Sequence, residues 1–302
     1  MLAIIGGTGL YEMDGLNVKE ELNVATPFGA PSALVVKAEY GNREVLFLPR
    51  HGRDHEFLPH EVNYRANIFA LKKLGARQVL GFSAVGSLRE EIHPGEFAIP
   101  TQYFDFIKGN RERTFFGEGV AAHVSTAEPV CPNMTAWIAS KAEQMNLPLH
   151  LNKTYAGVDG PRLGTKAESN FLRAAACDLV GMTNVPEVFL AREAQLCYAT
   201  IGIATDYDCW MEDQSQHVSV ADVISRFGES LSQAKELLLA LLETPLPETE
   251  ASYRETLATA LLTPPENIPE PKRELMEVLC AWPLRFQLSF PWQLRSQSRP
   301  PS

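Results

Sequence analysis

The chain has 302 residues, 45% of them hydrophobic and 21% charged, with a net charge of −10 and a pI near 5.3. This composition suits one large globular domain or two small ones, and its acidic balance excludes a nucleic-acid or membrane-surface partner, either of which needs a basic face. No run of about 18 apolar residues occurs and no basic flank precedes Gly6-Gly7, so no membrane span or signal peptide is expected; the chain reads as cytoplasmic, with a small ligand. The five cysteines, Cys131, Cys177, Cys197, Cys209 and Cys280, form an odd set with no C-x-x-C pair. They are expected to be reduced core residues, with neither a disulfide framework nor a zinc site.

Leu2 to Ile5 reads as a short apolar strand that runs into Gly6-Gly7-Thr8-Gly9-Leu10. Glycines there let successive N–H groups point into one concavity, and Thr8 adds a hydroxyl, so the turn suits an anion. It could also be a plain tight turn, or open a dinucleotide site, against which Glu12 stands where the third glycine of G-x-G-x-x-G belongs. Strands are expected at Ala33 to Ala38 and Val45 to Pro49, joined by Tyr40-Gly41-Asn42-Arg43. The second ends in Arg50-His51-Gly52-Arg53-Asp54-His55, where an arginine can fork onto a phosphate or carboxylate. His51 and His55 have helical metal-ligand spacing, but Gly52 and the missing apolar face argue against a helix; a surface turn is the alternative.

Helical periodicity predicts a crossover helix over Val62 to Leu74, closed by Gly75. The strand Val79 to Phe82 then leads to Ser83-Ala84-Val85-Gly86-Ser87, read as a second small-residue turn offering hydroxyls and free N–H groups. Phe97 to Phe106 is a strand and Asn110 to Val120 a polar loop, with His123 beyond it. A helix follows from Cys131-Pro132-Asn133 to about Met145, then a strand over Tyr155 to Val158. Asp159 to Lys166 is a loop able to lie over a ligand, ahead of a helix at Ala167 to Ala176. Leu179 to Thr183 is a strand and Pro186-Glu187 starts the next helix. Leu196 to Gly202 is a buried strand that delivers Asp206-Tyr207-Asp208, two carboxylates one residue apart, to the edge of the core. Carboxylates that close and half shielded favour one staying protonated, as a general acid requires. Val218 to Leu242 is a long amphipathic helix, and from Thr244 prolines accumulate in an arm whose end, Ser296 to Ser302, is expected to be disordered.

With the Gly-Thr turn, the Arg-His strand end, the Ser-Ala turn, Gly160-Pro161-Arg162, Met182-Thr183 and Asp206-Tyr207-Asp208 in this order, the chain from about Ile4 to Leu242 resembles the 5′-methylthioadenosine phosphorylases, grouped with the trimeric purine nucleoside phosphorylases. The resemblance implies an α/β fold, a single domain over residues 1–243 with a central mixed sheet flanked by helices, plus a helical arm over 244–302. It implies phosphorolysis of 5′-methylthioadenosine, with inorganic phosphate as co-substrate, no metal or organic cofactor, and a homotrimer. Thr8, Arg50, His51, Ser83, Ala84 and Thr183 correspond to phosphate ligands, Met182 to a ribose contact, and Asp206 and Asp208, flanking Tyr207, to base contacts, with Asp206 as proton donor. His123 matches a histidine that reaches a neighbouring subunit's site, and Val220 and Val223 match apolar residues beside the 5′ substituent.

Leu163 and Gly164 depart from the phenylalanine and serine usual among methylthioadenosine phosphorylases. The 6-oxopurine phosphorylases carry a glutamate where this chain has Gly164 and an asparagine where it has Asp206. A phosphorylase of methylthioinosine or of ordinary purine nucleosides is the nearest alternative. A non-catalytic nucleoside or phosphate binder and a dinucleotide-dependent oxidoreductase are the readings from other classes.

Overall fold

A computed structural model describes the chain except for residues 8, 9, 11, 12, 14, 212–219 and 281–302, and describes the backbone but not the side chains over 220–229. The elements in order are β1 (Leu2–Gly6), β2 (Leu16–Leu22), β3 (Val35–Tyr40), β4 (Arg43–Pro49), α1 (Tyr64–Lys73), β5 (Gln78–Ser87), β6 (Phe97–Asp105), α2 (Pro132–Gln144), β7 (Leu149–Gly157), α3 (Lys166–Ala174), β8 (Leu179–Gly181), α4 (Asn184–Glu193), β9 (Cys197–Asp206) and α5 (Val220–Leu242). The arm adds α6 (Ala251–Arg254), α7 (Leu257–Ala260) and α8 (Arg273–Leu279).

The strands form one mixed sheet in the order β2-β3-β4-β1-β5-β8-β7-β6-β9, and β9 pairs back onto β5. The last five strands therefore close into a ring, while β2 to β4 and β1 extend from it as an open wing. β1, β4, β5 and β9 run parallel, so their carboxyl ends lie along one edge. β9 is buried on both faces down to Thr205, which is why its sequence is a near-continuous apolar run with no alternation. The expected α/β class with a central mixed sheet is the fold observed.

Local chemistry sets the boundaries. Asn63 caps α1 by accepting from the Ala66 N–H, and Gly75 ends that helix at φ +89°. Thr165 and Glu168 form a reciprocal capping box at the start of α3. In the arm, Tyr253, Leu257, Leu275 and Leu279 join the main hydrophobic core, and the Tyr253 hydroxyl donates to the Val130 carbonyl at 2.6 Å. Among the described residues no helix is long and apolar enough to cross a membrane.

Three expectations need correction. The Ser83 to Ser87 segment is not a turn: β5 continues through Ser87, because Gly81, Gly86 and Gly202 leave room for close pairing with β8 and β9. β2 is missing from the expected strands; it is an edge strand whose Lys19 pairs with Glu39 on β3, and a bulge between Val18 and Glu20 interrupts the alternation that would announce it. The cysteines are not all reduced, since Cys131 at the start of α2 is joined to Cys197 at the start of β9, 66 residues away and 5.3 Å between Cα atoms. Only the packing of α2 on the sheet brings them together. Cys177, Cys209 and Cys280 are free.

Candidate active site

The carboxyl ends of β1 and β4 are in register, Gly6 opposite Pro49, and the Arg50 N–H donates to the Gly6 carbonyl at 2.9 Å. A Cβ on Gly7 would meet nothing within 4 Å among the described residues. Thr8 is outside the described residues. The Arg50 side chain is only 2% exposed. Its Nε and Nη2 donate to the two carboxylate oxygens of Glu187 at 2.7 and 2.8 Å, and Nη1 donates to the Phe82 carbonyl at 2.8 Å. Three of its five N–H groups are thereby engaged, and two have no partner among the described residues. The Tyr198 hydroxyl donates to the same carboxylate at 2.8 Å. Burial works against the Arg50 charge, but Glu187 outweighs it and keeps the guanidinium protonated at every pH of interest.

His51 follows with its Nδ1 2.8 Å from the Phe57 carbonyl and its ring stacked on His55. Burial first, and then the Arg50 charge, bring its pKa down from 6.5 to about 4, so the ring is neutral near pH 7, donating from Nδ1 and leaving Nε2 as an acceptor. An unfolded His51 takes a proton near pH 6.5 and the folded one only near pH 4. Its contribution to stability is therefore whole above pH 6.5 and lost as pH falls toward 4. Glu193, raised by burial from 4.5 to about 7, has the opposite sign, its contribution fading as pH rises through 7. In His51→Asn the wild-type-minus-variant stability difference should shrink between pH 6.5 and 4.5, as urea titrations at several pH values would register; a flat difference would show that His51 does not titrate this way.

Ser83 is buried with no partner for its hydroxyl among the described residues, and Ala84 next to it is exposed. Across the ring, Thr183 is the N-cap of α4 without a side-chain capping bond, and the N–H groups of Thr183 and Asn184 approach the Tyr155 hydroxyl at 3.2 and 3.4 Å. The Thr183 hydroxyl donates to Asn184 Oδ1 at 3.3 Å and can turn from it toward an anion beside Ser83, while regular helix begins only beyond the non-helical Val185. Arg111, from the loop after β6, donates from Nη1 to the Met182 and Val185 carbonyls, both at 2.7 Å, and from Nη2 to the Asp159 carbonyl at 3.1 Å. It ties the Met182-Thr183 turn to the loop before α3.

Asp206 ends β9 opposite Gly86 of β5. Its Oδ1 accepts from the Thr205 hydroxyl at 2.7 Å and its Oδ2 from the Asp208 N–H at 2.8 Å. Asp208 sits at φ +52°, a conformation aspartate tolerates better than most residues. A Cβ on Gly164 would lie 3.9 Å from Asp208 Oδ2, and the Cys209 thiol reaches the Gly164 carbonyl at 3.4 Å, so the loop before α3 folds against this turn. Leu163 in that loop is 51% exposed. Tyr207 turns the other way, its hydroxyl 2.5 Å from His93 Nδ1, while Trp210 Nε1 donates to the Ser87 carbonyl at 2.8 Å under the Arg173 guanidinium.

Gly160 has φ +67°, and a Cβ there would come within 2.4 Å of Met182 Sδ. Gly160→Ala should therefore push Met182 off its place, raising KM for nucleoside while leaving that for phosphate near wild type, at a stability cost of about 1 kcal/mol. Steady-state kinetics with each substrate varied would separate the two constants, and an unchanged nucleoside KM would remove Met182 from the sugar site.

The strand ends thus gather Arg50, His51, Ser83, Thr183, Met182, Asp206 and Asp208, with Gly164 closing over the last. His123 is not among them: its ring is exposed and its N–H donates to the Ala260 carbonyl of the arm at 2.9 Å. The side chains of Val220 and Val223, at the start of α5, are outside the described set. Sequence reasoning missed Glu187, Tyr198, Tyr155, Arg111, His93 and Trp210. Only Glu187 carried a signal, a lone acid inside the apolar stretch Val185 to Ala191. Among the described residues the group of metal-ligand type is Cys131, Cys197 and Glu250, at the far end of β9, roughly 30 Å from Asp206 by strand length.

Residues 1–243 match the family model described as the phosphorylase superfamily. An S-methyl-5′-thioadenosine phosphorylase of Geobacter sulfurreducens is 42% identical over 279 residues, 92% of this chain and 97% of its own. One from Hyperthermus butylicus is 46% identical, covering 86% of this chain and 95% of its own. The crystal structure of a methylthioadenosine phosphorylase from an antarctic soil metagenomic library superimposes with a TM-score of 0.86 at 39% identity, covering 92% of this chain and 98% of that one. A methylthioadenosine phosphorylase of Schistosoma mansoni in complex with adenine gives 0.76 at 36% identity, covering 80% of this chain and 90% of that one.

Proposed function

The chain belongs to the phosphorylase superfamily, and we propose that it is the enzyme that cleaves 5′-methylthioadenosine with inorganic phosphate, releasing adenine and 5-methylthioribose 1-phosphate for salvage. The observation that carries this reading is the order of groups along β5 and β9. Ser83 has a buried hydroxyl with no partner among the described residues, Asp206 stands opposite Gly86 three residues further on, and the Thr183 turn and the Gly164 loop meet the same edge. Phosphate belongs at the Arg50, His51, Ser83, Ala84 and Thr183 end, the purine at Asp206 and Asp208, and the ribose over Met182 between them.

A phosphate oxygen attacks C1′ as the C1′–N9 bond breaks, and the bonding pair leaves with the purine, so charge accumulates on the base and positive charge on the sugar. Holding phosphate in line contributes by positioning, up to roughly 7 to 11 kcal/mol in ideal cases. Asp206 in its protonated form delivers a proton to purine N7, a general-acid effect of about 10² to 10⁴ in rate. The methylthio group is assigned, on the resemblance, to Val220 and Val223; an apolar slot there would reject an added hydroxyl by about 10²-fold, making adenosine a poor substrate and not an inert one. No cofactor or metal enters these steps.

The working assembly is a homotrimer in the cytoplasm, with His123 completing a neighbour's site. The exposed His123 ring supports it, as does the row of rings Phe104, Phe106 and Phe171, the outer two 40% and 52% exposed, which a second copy would cover. The test is a comparison of methylthioadenosine, methylthioinosine, adenosine and inosine with and without phosphate, with sedimentation at assay concentration. Phosphate-dependent adenine release, fastest with methylthioadenosine, is expected from a trimer. Equal efficiency on adenosine would replace the apolar slot, and an active monomer the assembly.

A further inference from the structure

Glu187 has no part in the steps above, yet it is 1% exposed and every bond it makes lies beside the phosphate end of the site. Its carboxylate takes the Nε and Nη2 donors of Arg50 in a two-point fork and a third hydrogen bond from the Tyr198 hydroxyl. Such a pair is net neutral and rigid, with good geometry on both oxygens. The neighbouring groups described above do not replace that carboxylate: Arg111 is a second cation, held by three carbonyls, and the His51 imidazole is neutral. We propose that Glu187 is a positioning residue of the phosphate site, one that cancels the charge of Arg50 so that the guanidinium meets phosphate as an oriented set of N–H donors and not as a counter-ion. This deepens the phosphorylase reading and rests on it.

The consequence concerns where the phosphate's charge is used. A naked arginine would bind the dianion tightly before and during the reaction alike, which lowers KM without lowering the barrier. It would also compete with the cationic sugar for the same negative charge. An arginine already neutralised by Glu187 leaves that charge to stabilise the cation forming at C1′.

The test is Glu187→Gln, which keeps the shape and one acceptor but leaves Arg50 uncompensated. Inorganic phosphate is the probe, read both by its half-saturation in phosphorolysis and by its shift of Tm in the intact protein. The variant should bind phosphate about tenfold more tightly and turn over about 10²-fold more slowly, and its Tm should rise with phosphate more steeply than wild type. Glu187→Asp, which keeps the charge, should hold phosphate within about threefold of wild type. A Glu187 that merely keeps Arg50 in place gives the reverse, weaker phosphate binding in the glutamine variant, and that result or an unchanged constant overturns the inference. So does a glutamine variant that cannot be folded in phosphate, because the dianion should stand in for the missing carboxylate. A wild-type Tm indifferent to phosphate would instead overturn the phosphorylase reading beneath it.

Discussion

Asp206→Asn is expected to slow methylthioadenosine phosphorolysis by about 10² to 10⁴-fold with the fold intact. Asparagine has the size of aspartate and can keep the hydrogen bonds with Thr205 and Asp208. Its carbonyl accepts from the Asp208 N–H, which cannot turn, and its NH₂ faces the Thr205 hydroxyl, which can rotate to accept. What it lacks is a transferable proton, and it sets an amide donor toward the purine edge. The remaining activity should shift toward 6-oxopurines, whose O6 accepts from that amide. Single-turnover rates with methylthioadenosine and with methylthioinosine, beside a melting curve, read both effects. A folded variant with an undiminished rate on methylthioadenosine would remove Asp206 as the proton source.

Asp206 was legible in the sequence because its strand is. A ten-residue strand buried on both faces has to be written in apolar residues, so the place where polarity returns marks its end. Helix α1 was legible through its apolar period and the Gly75 that ends it, whereas the caps Asn63 and Thr165 are seen only in the structure. β2 was not legible, because a bulge between Val18 and Glu20 interrupts the alternation of this edge strand. Nor was the course of β5 through Ser87, since small residues that suit a turn also suit three strands packed closely. The Cys131–Cys197 bond left no local trace, its partners being far apart in the chain. For the site itself, the strand-end position of Arg50 marks it as a ligand, but what holds it, Glu187 and Tyr198, comes from elements more than 130 residues downstream. Residues that touch a ligand cluster in short motifs, whereas residues that hold them in place are scattered by the topology and become visible only once the sheet is assembled.

That holding pair sets the largest stability effect expected in the molecule. Arg50→Met removes the cation and leaves the Glu187 carboxylate at 1% exposure with only the Tyr198 hydroxyl to accept from. Breaking a buried ion pair on one side costs about 3–5 kcal/mol, a large part of the roughly 5–15 kcal/mol that holds an ordinary domain together. Phosphorolysis should be lost as well, since two N–H donors leave the phosphate end. If the cost is that of a stranded charge and not of lost packing, it has a specific remedy. In Arg50→Met/Glu187→Met both charges are gone and two flexible apolar side chains fill the space, so most of the lost stability should return. Activity should not return with it, because the arginine is still absent. Urea unfolding of the wild type, both single variants and the double variant gives the coupling between the two positions directly. A double variant no more stable than Arg50→Met would mean that the site depends on the shape of the pair and not on its charge balance. Recovery of stability without recovery of turnover would identify Arg50 and Glu187 as a buried ion pair kept for its work on phosphate at no gain to the fold.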